Sequence, residues 1–72
     1  MDAIPMTKDV MFVGDYFTLI TSVQLDEKLR TDEDKDDDDF AIRLASLWLG
    51  EYYGWDVLEA SNEVGVVERT PE

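Results

Sequence analysis

The chain has 72 residues, enough for one small domain, with six basic against 18 acidic side chains and a formal net charge of −12. It contains neither cysteine nor histidine, which removes disulfides, thiolate nucleophiles, zinc–sulfur sites and imidazole acid–base catalysis. A single core of this size rarely supplies more than about 3–5 kcal/mol and leaves little interior for an enclosed active site, while the charge repels nucleic acid and anionic lipid.

The N-terminal stretch Met1-Asp2-Ala3-Ile4-Pro5 lacks a basic region followed by an apolar one, and no run approaches the ~18 apolar residues of a membrane span. The expectation is a single domain over 1–72, working in the cytoplasm of a bacterial or archaeal cell. Val10-Met11-Phe12-Val13 and the stretch from Tyr16 to Leu25 then read as strands, with Phe17, Leu19, Thr21, Val23 and Leu25 on one face by period two. Gly14-Asp15 between them suits a type II′ hairpin, glycine accepting the positive φ at the first central position. One long bulged strand is the competing reading.

Residues 26–39 are a charged connection with nine acidic and three basic side chains, so half of the net charge lies in 14 residues. One reading is a solvated, mobile link whose last aspartates cap the following helix, since blocks of like charge repel and extend. The other is a recognition surface for a basic groove, because arginines that grip phosphates grip carboxylates by the same bidentate geometry. The residues expected to carry it are Asp32, Glu33, Asp34, Asp36, Asp37, Asp38 and Asp39, with Tyr53 as an exposed aromatic anchor.

Calcium is a further candidate, as Asp32, Asp34 and Asp36 have the one-three-five spacing of an EF-hand loop. The sixth position is Asp37 where glycine is required and the twelfth is Arg43 where a glutamate is required, so no defined metal site is expected.

From Phe40 the period becomes helical, with Phe40, Ala41, Leu44, Ala45, Leu47, Trp48, Leu49 and Tyr52 on one arc and Arg43, Ser46, Gly50 and Tyr53 on the other side. Asp36 to Asp39 supply N-cap oxygens and negative charge at the helix start, and Gly54 supplies the left-handed stop. Trp55–Ala60 and Glu63–Arg69 read as two short strands around a Ser61-Asn62 turn, with 70–72 as a frayed tail.

The fold expected is α+β: an antiparallel sheet of three or four strands with one helix on one face. Its expected core is Phe17, Leu19, Val23, Leu44, Leu47, Trp48 and Val66, with Trp48 largely buried. No pocket, raised-pKa carboxyl or phosphate-cradling glycine loop is indicated, so neither an enzyme nor a cofactor is expected.

The strand, the Asp/Glu-rich connection, the short helix ending in Glu51-Tyr52-Tyr53-Gly54-Trp55 and the final strand pair resemble the small acidic accessory proteins of bacterial viruses in size, charge and layout. That resemblance implies an inhibitor of a nucleic-acid-handling enzyme that acts as a nucleic-acid mimic. Two alternatives remain open. The acidity is also that of proteins from high-salt cytoplasms, although such charge is spread rather than concentrated. A sheet covered on one face only is also a surface for a structural homo-oligomer, such as a homodimer.

Overall fold

The computed structural model describes residues 6–67. Three strands, β1 (Thr7–Val13), β2 (Thr18–Gln24) and β3 (Glu63–Val67), form an antiparallel sheet in the order β2-β1-β3. A main helix, α1 (Asp37–Tyr53), covers one face, and a single helical turn, α2 (Val57–Ala60), leads back into the sheet. The fold is therefore α+β, as expected. The continuation of the last strand to Arg69, the tail 70–72 and the N-terminal residues 1–5 lie outside the described residues.

The β1–β2 register, with Val10 opposite Thr21 and Phe12 opposite Leu19, follows from alternation. Val10 and Phe12 point to the helix and are fully buried, and Val23 and Leu25 continue that face. Phe40, Ala41, Leu44, Ala45 and Leu49 descend onto it from α1, and Val57 closes the end from α2. Asp36 is the N-cap, its side chain accepting the Asp39 N–H at 2.8 Å, so α1 begins at Asp37, three residues before Phe40. Gly54 ends it in the left-handed region, at φ 63°.

Three expectations are corrected. The first concerns the hairpin. The loop is Asp15-Tyr16, closed by the Gly14 N–H donating to the Phe17 carbonyl at 2.9 Å, and Gly54 is the one residue with positive φ among those described. Gly14 is needed for space instead, since a Cβ there would fall 2.1 Å from Phe17 Cε1. The Phe17 ring cannot swing aside freely, because it packs edge-on against Trp55 at 4.9 Å. Gly14→Ala should therefore cost about 1–3 kcal/mol through displacement of that ring pair. A chemical-denaturation midpoint equal to wild type would show that the Phe17 ring relocates without loss.

The second correction is the segment Trp55–Ala60, which is not a strand. Asp56 caps a helical turn, its side chain accepting the Glu59 N–H at 3.3 Å. The spacing Asp56-x-x-Glu59 is a helix-start signal that competes with the short apolar alternation, and the burial of Val57 under α1 decides between them. Only β3 enters the sheet after α1, and it pairs with β1 rather than with residues 55–60.

The third correction is the core. Val23 and Leu44 are buried and Phe17, Leu19 and Val66 pack against its edge, but Leu47 and Trp48 are surface residues, Trp48 being 54% exposed. Trp48 lies over the outer edge of β2, which no further strand joins among the described residues, and Leu47 turns towards Arg43, Gly50 and Leu58 on the flank of α1.

Candidate partner-binding face

The acidic connection is an ordered structure built on two arginines. Asp26 accepts the Lys28 N–H and opens a 3-10 turn at Glu27–Leu29. A second turn follows, in which the Asp34 N–H donates to the Thr31 carbonyl at 3.0 Å and the Thr31 N–H donates back to Asp34 Oδ2 at 2.9 Å. Arg43, on the polar side of α1, grips the same carboxylate bidentately, Nε to Oδ1 at 2.8 Å and a terminal nitrogen to Oδ2 at 2.9 Å. It also donates to the Leu29 carbonyl at 2.6 Å.

Arg30 donates to Glu27 at 2.7 Å and to Asp37 at the start of α1. Its guanidinium lies over the Phe40 ring, 4.7 Å from the centroid, with that of Arg43 at 5.6 Å. Phe40 thus joins the core to the loop, with its ring buried and both cations above it.

This scaffold sorts the predicted site residues. Asp34 is removed from the surface, its side chain only 2% exposed, and is a structural ligand of Arg43 rather than a contact for a partner. Asp37 is half-buried against Arg30, Asp36 caps α1, and Asp38 pairs with Lys8 at 3.3 Å while staying largely open to solvent. Asp32, Glu33 and Asp39 are exposed. Asp32, Asp34 and Asp36 do not converge. Among the described residues no group of three or more carboxylates gathers as a metal-ligand set.

Tyr53 is 77% exposed, but the length of α1 places it about 25 Å from Asp36, so it shares no patch with the acidic loop.

The Arg43 guanidinium bonded to its carboxylate, helped by the Thr31 N–H, holds the Asp34 pKa down from 3.8 to about 2 against the opposing cost of burial. A carboxylate depressed in the folded state adds stability that is complete above its unfolded pKa and is lost as pH falls through the folded one. The stability advantage of wild type over Asp34→Asn should therefore be full at neutral pH and disappear between about pH 3.8 and about 2. Comparing the two proteins cancels the protonation of the other carboxylates. A difference independent of pH across that window would mean that the pair contributes through packing and not through charge.

The arginines were the part missed from sequence. Arg43 stood on the polar arc of the helix, nine positions after Asp34, and no local pattern marks that separation as a contact. Comparison of the chain with protein-family models, with curated proteins and with solved structures finds no match in any of the three. Among the described residues no helix is long and apolar enough to cross a membrane.

Proposed function

We propose that this protein is a non-enzymatic acidic binding protein that docks on the basic surface of a nucleic-acid-handling protein in a prokaryotic cytoplasm and keeps nucleic acid from it. This is the role that its likeness to viral accessory proteins implies. The observation that carries the reading is the exposure of Asp32, Glu33 and Asp36 on a loop, and of Asp38 and Asp39 on the first turn of α1, beside Asp34 and Asp37 held by Arg43 and Arg30. Carboxylates already ordered before binding avoid the entropy cost a mobile acidic tail would incur, and their density accelerates encounter with a cationic groove.

The test is a variant with Asp32→Asn, Glu33→Gln, Asp36→Asn and Asp39→Asn. It removes four charges, keeps an amide oxygen to cap α1 and leaves Asp34 and Asp37 to their arginines. Against a DNA- or RNA-binding protein captured from host lysate, wild type should be displaced by duplex DNA. The variant should bind at least tenfold more weakly, about 1.4 kcal/mol, with an unchanged circular dichroism spectrum. Equal binding by the two proteins refutes the reading.

A second reading, a structural homo-oligomer with acidity as a salt adaptation, draws support from the sheet face turned away from α1, where half-exposed Ile20 lies opposite Met11. A monomeric mass by light scattering, and folding without molar salt, would exclude it.

A further inference from the structure

Trp48 and Tyr52 sit in the middle of the apolar arc of α1 and stack on one another, centroids 4.9 Å apart and planes 16° from parallel, yet they are 54% and 68% exposed. They overhang the edge of the sheet at β2, which has no neighbour on its outer side among the described residues. Between this edge and α1 runs a groove of about 500 Å³ lined by Thr21, Val23, Asp26, Leu29, Leu44 and Trp48. Beyond Trp48 separate shallow hollows are lined by Leu49, Tyr53 and Trp55.

The sequence of β2 carries none of the devices that protect an edge. Edge strands are ordinarily protected by lysine, proline or a bulge, whereas the seven residues of β2, Thr-Leu-Ile-Thr-Ser-Val-Gln, hold no charge and no proline and pair with β1 in unbroken register. The Leu25 N–H donates to the Met6 carbonyl and the Gly14 N–H to that of Phe17. Ladder alternation then directs the main-chain groups of Leu19, Thr21 and Val23 towards β1, and those of Ile20 and Gln24 outwards. The space a fourth strand would occupy therefore has a main-chain edge, an apolar floor and an aromatic wall.

We propose that this groove takes an extended cationic segment of a partner protein, which adds to β2 as a fourth strand. The occupant follows from charge. Asp26 lines the groove at the start of the acidic connection, on a chain of net charge −12. A second copy would bring the same −12 and its own Asp26 to the contact, whereas a segment with lysine or arginine near Asp26 is attracted. Alternate apolar side chains of the added strand enter between Val23, Leu44 and Trp48, main-chain bonds form at Ile20 and Gln24, and an arginine can lie on the Trp48–Tyr52 stack. The groove takes Asp26 and Leu29 from the start of the connection but none of Asp32, Glu33, Asp36 or Asp39, so occupation of the groove and the proposed decoy role can fail separately.

The test uses the full chain, isotope-labelled for NMR, and a synthetic peptide of about ten residues with alternating valine and threonine and a lysine cluster at one end. Binding should shift Trp48 and slow hydrogen exchange of the Ile20 and Gln24 amides. It should persist in the variant with residues 32, 33, 36 and 39 amidated. Replacing the lysines by glutamates, or N-methylating alternate amides of the peptide, should weaken it at least about tenfold. Ile20→Pro, which removes an edge N–H where proline is tolerated, should do the same, and the N-methylated peptide makes the same test from the other side should that variant misfold.

Equal binding of the N-methylated or glutamate peptide overturns the proposal. So do shifts confined to residues 32–39, or a concentration-dependent dimer that protects the same amides without peptide.

Discussion

Replacing Phe40 with alanine is expected to cost about 3–5 kcal/mol, enough to unfold most of a domain whose whole stability is of that order. The ring is fully buried in the core on one side and carries the guanidinium groups of Arg30 and Arg43 on the other. Its removal therefore opens a cavity and also undermines both arginines that hold the acidic connection. Phe40→Leu separates the two effects: it keeps most of the apolar volume, loses the cation–π contacts and should cost only about 1–2 kcal/mol. Hydrogen exchange at the Asp34 amide, bonded to the Thr31 carbonyl, should rise in the leucine variant more than exchange at Val10 or Phe12. Uniform exchange across loop and sheet would show that the loop does not depend on this ring.

The second large effect contrasts two residues one helical turn apart. Leu44 is 2% exposed between sheet and helix, and Leu44→Ala should cost about 2–5 kcal/mol. Trp48, on the same arc, faces the open groove beside β2, and Trp48→Ala should cost no more than about 1 kcal/mol, mainly the stacking on Tyr52. Urea titration of both variants checks the order. A Trp48 loss as large as that of Leu44 would mean that a strand covers the tryptophan in solution, either from this chain or from a second copy.

The Asp34–Arg43 pair shows why charge counting alone misplaces a site. Nine carboxylates in 14 residues look equivalent along the sequence, but the pairing depends on where the chain returns to the helix. Asp34 alone among them is swallowed by an arginine fork. The others are distributed among two caps, three ion pairs and solvent. Glu27 and then Asp37 raise the Arg30 pKa further, so both arginines stay charged at any pH at which the protein folds.

What could be read without coordinates is what depends on neighbours within a few positions. The caps of α1 at Asp36 and Gly54, the hairpin before it, the alternation that buries Val23 and Leu25, and the density of carboxylates at 26–39 are all local properties of backbone sterics and periodicity. Tertiary structure decided the rest, because it depends on which segments meet. Trp55–Ala60 alternates weakly enough to be a strand, yet Val57 gains more by packing under α1 while Asp56 caps the turn. At the other side of the sheet β2 is the outer strand among the described residues, and Trp48 and Tyr52 of α1 overhang its edge. The exposure of Trp48 and Tyr52, like the burial of Asp34, was therefore set by long-range pairing, which side-chain periodicity along one helix does not encode.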